Sequence, residues 1–105
     1  MHRLSEERTF EIRLFEGRIF VRYRGQPDDL KFSVMLQAQT AEGWQTVCLI
    51  DNAEGKGTHI HRYEGKRKMA ARPFHQGSAR EGIPAARDFL REQARDILKA
   101  WRDDR

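Results

Sequence analysis

The chain has one cysteine, three prolines and no long hydrophobic run in its 105 residues. Each shortage excludes something. The lone cysteine, Cys48, rules out an intrachain disulfide and fits a reducing compartment, so a cytoplasmic location is expected. The longest uninterrupted apolar stretch, Val47–Ile50, is four residues, far short of the roughly 18 that a membrane span requires. The first eight residues contain no apolar stretch and do not read as a secretory signal; they are expected to fray. There is no glycine-rich phosphate loop, no G-x-S-x-G elbow and no Cys–His pair at a recognisable spacing, so ordinary hydrolase and nucleotide-binding readings lack support. Cys48 lies inside an apolar run and reads as a small buried hydrophobe rather than a nucleophile.

Hydrophobic residues make up 38% of the chain and charged ones 34%. The apolar residues recur with the periods of regular structure, which points to a single folded domain over residues 1–105. Residues 9–16 alternate, with Phe10, Ile12 and Leu14 set against Glu11 and Arg13. Gly17 reads as a turn, and Ile19, Val21 and Tyr23 alternate after it, so the two runs form a hairpin. Residues 24–29 form a breaker-rich loop. From Leu30 to Thr40, Phe32, Val34, Leu36 and Ala38 share one face, and Lys31, Ser33, Gln37 and Gln39 the other. Trp44–Ile50 reads as a central strand, residues 51–57 as a loop and Thr58–Tyr63 as a further strand. Strands every ten or so residues joined by short turns favour an antiparallel meander of four to five strands. The basic stretch 64–80 holds at most one short edge strand. Ile83, Ala86, Leu90, Ala94, Ile97 and Trp101 recur at steps of three or four, the stripe of an amphipathic C-terminal helix. Pro84 suits its first turn, and Asp88–Arg91 and Asp96–Lys99 are spaced to pair on its outer face. The fold class is therefore α+β, with one helix packed on one sheet face and the other face open. A short meander leaves edge strands to be covered, for which a homodimer is one solution.

Charge is unevenly spread. Residues 1–55 carry a net −2, residues 56–80 a net +6, and residues 81–105 a net zero. The focus comprises Lys56, Arg62, Lys66, Arg67, Lys68, Arg72 and Arg80 against Glu64 alone, and such a patch attracts polyanions, RNA among them. It begins beside the densest reactive cluster, Thr58-His59-Ile60-His61-Arg62-Tyr63. On a strand, His59, His61 and Tyr63 point to one face, while Ile60 and Arg62 point to the other, Arg62 escaping at the sheet edge or snorkelling. Three readings stay open. Paired imidazoles of His59 and His61, with Tyr63 beside them, could move protons in RNA cleavage, with Lys66, Arg67, Lys68 and Arg72 steadying phosphate charge. His59 and His61 could instead join Asp51 or Glu64 at a metal. Or the histidines are structural. The favoured reading has no metal and no cofactor. His75 is a weaker candidate, and His2 belongs to the terminus.

The order Asp51-Asn52-Ala53, short loop, His59-x-His61, basic segment and terminal helix resembles the TumE-like toxins of bacterial toxin–antitoxin modules, over roughly residues 44–100. The resemblance implies a small cytoplasmic toxin held by an antitoxin partner and acting on RNA. A non-enzymatic nucleic-acid-binding module and a protein-interaction domain are the alternatives.

Overall fold

The computed structural model describes residues 7–26, 29–53 and 57–103. The expected fraying of residues 1–6 with His2, residues 27–28 of the expected 24–29 loop, and loop residues 54–56 with Lys56 lie outside them. The elements are β1 (Arg8–Arg13), β2 (Gly17–Gln26), β3 (Asp29–Thr40), β4 (Gly43–Asp51), β5 (Thr58–Glu64), β6 (Arg67–Lys68), β7 (Arg72–His75) and α1 (Ala79–Asp103). Every strand pairing is antiparallel, and the sheet runs β1-β2-β3-β4-β5, with β6 and β7 both paired to β5. This is an α+β meander with one C-terminal helix, its sheet curled into a half-barrel.

Among the described residues, seven strands replace the four to five expected. The surplus comes from the basic stretch, where β6 and β7 are too short and too polar to show alternation. Several boundaries also move: residues 24–26 continue β2 and Asp29 opens β3, where a loop was expected, and Asp51 closes β4 rather than opening a loop. Arg8 is part of β1 rather than a frayed end. Gly17 opens β2 rather than forming the turn: it lies opposite Ala38, and a Cβ there would run into the Gln37 carbonyl. Close approach of β3, not a turn, is what requires glycine at this position.

The strand faces follow the alternation. Ile19, Val21, Phe32, Val34, Leu36, Ala38 and Ile50 are buried on the helix side. β4 departs from period two for an identifiable reason. Leu36 faces Cys48 but Gln37 faces Thr46, so Val47 is the extra residue of a β-bulge, and Val47 and Cys48 are both buried. Asn52, just past β4, carries the ladder one step further with its side chain. Its Oδ1 accepts from Phe32 N at 3.0 Å, and its Nδ2 donates to the Leu30 carbonyl at 2.7 Å.

The helix begins with a capping box. Glu81 N donates to Ser78 Oγ at 3.2 Å, and Ser78 N donates to Glu81 Oε1 at 3.1 Å. Because the helix starts at Ala79, Pro84 lies in its second turn rather than its first, where it withdraws the bond to the Arg80 carbonyl. The ion pairs differ from those the spacing suggested: Asp88 pairs with Arg87 at 3.0 Å, and Lys99 with Asp103 at 3.1 Å. Ala86, Leu90, Ala94, Ile97, Leu98 and Trp101 are buried, chiefly against β3. Near the helix start, Gly82 allows contact with the sheet: a Cβ there would sit 2.9 Å from Thr58 Oγ1 and 3.1 Å from Phe32 Cζ. At the other end, Trp101 Nε1 donates to the Gly65 carbonyl at 2.9 Å, fastening the helix to the turn between β5 and β6. No helix among the described residues is long and apolar enough to cross a membrane.

The face away from the helix is not bare. Arg18 donates to Glu11 Oε2 at 2.6 Å and to Gln37 Oε1 at 2.7 Å, and its guanidinium lies 4.3 Å from the Trp44 ring centroid. One arginine therefore ties side chains of β1, β3 and β4 together across β2. Its hydrogen bond to Glu11 is the main cause holding that carboxyl below its ordinary value of 4.5, with Arg13 adding to it.

Candidate functional site

β5 organises everything the sequence singled out, because its two faces carry different chemistry. Ile50 opposes Ile60 and Cys48 opposes Arg62 on the helix side; Asp51 opposes His59 and Leu49 opposes His61 on the other. The division of His59 and His61 from Ile60 and Arg62 is therefore as alternation implies.

On the side away from the helix, cross-strand registers line residues into rows. One is Thr9, Arg22, Ser33, Asp51 and His59, polar across five strands; the next is Glu11, Phe20, Met35, Leu49 and His61. The histidines were expected on an open face; instead His61 is 4% exposed and Asp51 7% exposed, while His59 is half-buried. The cause lies in the edge strand. Between Tyr63↔Lys68 and Ile60↔Arg72, β5 advances three residues while its partner advances four. The extra residue bulges at Met69–Ala71, and the Met69 carbonyl lies 2.9 Å from His61 Nδ1. A carbonyl only accepts, so Nδ1 carries the proton, and in the neutral ring Nε2 is the free acceptor. His61 Nε2, His59 Nδ1 and Asp51 Oδ1 are buried, and no hydrogen-bond partner reaches them among the described residues.

Tyr63 alternates with the histidines, yet its ring packs against the core and it borders a cleft together with Arg62 and Arg72. Burial is the main cause raising its hydroxyl above the ordinary value of 10.0, with Asp51 and Cys48 adding to it. The cleft, about 550 Å³, lies between the C-terminal half of α1 and the β5 edge. Val47, Ile60, Met69, Ile97 and Trp101 supply its apolar walls. Arg62 and Arg72 are exposed at its rim, and neither has an ion-pair partner among the described residues. Trp101 and Ile97 belong to the apolar stripe of the helix, and no local signal in the sequence reveals that they also wall a cleft.

The other basic candidates stand along the same edge. Arg67 pairs with Glu64, Lys66 reaches Glu42 at 3.9 Å, and Lys68 is exposed. The structure thus gathers Arg62, Lys66, Arg67, Lys68 and Arg72 at one end of the sheet, and sets Arg62 and Arg72 on the opposite face of β5 from His59 and His61. His75 falls outside both groups. It opposes Thr58 at the end of β7, near the helix start, and its charge adds slightly to the lowering of Glu81, which comes mainly from hydrogen bonds with Ser78. Among the described residues, no group of three or more His, Cys, Asp and Glu side chains is arranged to hold a metal ion. Burial pushes the Cys48 thiol up to about 11, against an opposing pull from Arg62.

No curated protein and no solved structure matches this chain. A family model does, over residues 5–105, and on that match the chain belongs to the family described as a domain of unknown function, DUF7718.

Proposed function

We propose that this domain binds single-stranded nucleic acid, with RNA the favoured form, along the β5–β6–β7 edge. Arg62 and Arg72 hold phosphates at the rim of the cleft, and Lys66, Arg67 and Lys68 extend the path. The observation that carries the reading is the pair of guanidiniums, without ion-pair partners among the described residues, beside a 550 Å³ cleft walled by Tyr63 and Trp101. Cations that follow a backbone, interleaved with aromatic and apolar surface, are what sequence-tolerant single-strand binding uses. The test is fluorescence anisotropy of the full chain with a labelled oligouridine across a salt series. Wild type should bind with an affinity that falls steeply between about 50 and 200 mM salt. Replacing both arginines by alanine should weaken binding about tenfold or more and reduce the salt slope by about one for each phosphate no longer neutralised. Absence of binding at low salt, or unchanged binding by the double variant, would exclude this reading.

A second reading is a ribonuclease-like toxin held by an antitoxin. The fixed tautomer of His61 and the register of Asp51 against His59 favour it. His59 would need a solvent-reachable nitrogen and His61 a local opening at Met69–Ala71, with Tyr63 nearby. In this reading His61→Ala abolishes growth inhibition or RNA cleavage while leaving the fold intact, and unchanged activity in that variant removes it.

A further inference from the structure

Among the described residues, no strand lies beyond β1, so it forms one border of the sheet. Unlike the opposite border, it has no register shift over its full length. It also carries Phe10, which is 41% exposed although its cross-strand partner Val21 is fully buried. An unbroken edge with an exposed aromatic is a template for another strand.

The hydrogen-bond phase of that edge is set by the hairpin. Leu14 N donates to the Gly17 carbonyl at 2.9 Å, one step on from the Arg13↔Arg18 pair. In an antiparallel ladder, hydrogen-bonded and non-bonded pairs alternate. Arg8, Phe10 and Ile12 therefore direct their main-chain groups toward β2, and Thr9, Glu11 and Arg13 direct theirs outward.

We infer that β1 pairs antiparallel with β1 of a second copy of this chain, about a two-fold axis through Phe10. A two-fold perpendicular to the sheet keeps each face on its own side, so only residues of like parity can oppose each other. Centred on Phe10, outward-facing Thr9 meets outward-facing Glu11 of the second copy, and Arg13 comes opposite Glu7, the residue just before β1, each contact being made twice. Phe10 meets Phe10 as a non-bonded pair, the geometry in which cross-strand side chains come closest. The neighbouring registers fit less well. Centring on Glu11 sets two carboxylates face to face. Centring on Ile12 recruits residues 15 and 16, which have left the strand. The opposite border cannot serve instead, because the surplus positive charge there repels its own copy. The inference does not depend on the nucleic-acid reading, and the dimer leaves both β5–β7 edges free. A single added strand pair lies at the low end of specific interfaces, under about 1,200 Å² in total, so the dimer should depend on concentration.

The test is light scattering of the full chain over a concentration series, with cysteine crosslinking. Wild type should move from 12.4 kDa toward twice that mass. Phe10→Cys should form an intermolecular disulfide in mild oxidant, and Ile12→Cys should not; Cys48 is buried and does not compete. Thr9→Pro removes an outward N–H that β2 does not use, and Phe10→Lys opposes two charges on the axis. Both should remain monomeric with unchanged circular dichroism. A wild type that stays at 12.4 kDa throughout overturns the inference. So does a dimer that survives both substitutions, or one that crosslinks at Ile12 rather than Phe10.

Discussion

The sheet has two borders built on opposite plans. β1 is straight and evenly registered, with its outward backbone groups free of any strand among the described residues. The far border, β6 and β7, is broken by two register shifts, contains Pro73 opposite His59, and is loaded with cations. Bulges, proline and lysine are the devices that stop a strand edge from recruiting another strand. The same irregular edge places Met69 and Ala70 in the cleft wall and leaves Arg62 and Arg72 exposed. The far border thus resists a further strand and presents exposed cations, whereas β1 is evenly registered along its length.

Trp101→Ala should have the largest effect on this contrast. It removes a buried indole that walls the cleft and anchors the β5–β6 turn through Gly65, at a cost of about 3–5 kcal/mol. Denaturant melts should show that loss, and hydrogen exchange should rise more in β5–β6 than in β1. If β1 loosens first, the anchor has been placed on the wrong border. Asn52→Ala acts midway between the borders. It strips two hydrogen bonds from the β3 backbone, worth about 1–3 kcal/mol together, and exchange at Phe32 N should report it directly.

Ser78→Ala removes one half of the capping box and should cost about 1 kcal/mol, read from thermal melts. The pH dependence follows from two lowered carboxyls, Glu81 in the cap and Glu11 on the β1 border. A group whose folded pKa is lowered stabilises above its unfolded value and loses that contribution as pH falls through the folded one. Both contributions should therefore be complete above the ordinary 4.5 and fade below it. Glu81→Gln and Glu11→Gln should each flatten part of that acid limb. Both effects are small because the groups are exposed, and the Glu11 effect is confined to the β1 border. Finally, Cys48 should resist thiol reagents at pH 8 in the native state and react on unfolding, since its thiol is pushed up to about 11.

Much of this was legible from periodicity. The buried faces of β2 and β3, the split of β5 into a histidine face and an Ile60–Arg62 face, and the helix stripe from Ala86 to Trp101 all follow from counting by two or by three and four. What escaped did so for physical reasons. β6 has two residues and β7 four, too few to show a period. The Val47 bulge looks like an uninterrupted apolar run because both of its residues are buried. The Ser78–Glu81 cap is written in the sequence as S-x-x-E, and it starts the helix early enough to put Pro84 in the second turn, a position the preference of proline for first turns does not indicate. The burial of His61 depends on a carbonyl eight residues away that arrives only because an edge strand bulges.

The sequence by itself determined which side chains turn toward the helix and where positive charge accumulates, because both are properties of neighbours along the chain. Only the tertiary structure decided that Arg62 and Arg72 share a cleft with Trp101, that Asp51 and His61 are buried, and that the two sheet borders differ. Those outcomes depend on strand register and on one-residue offsets between distant segments, which local periodicity does not encode.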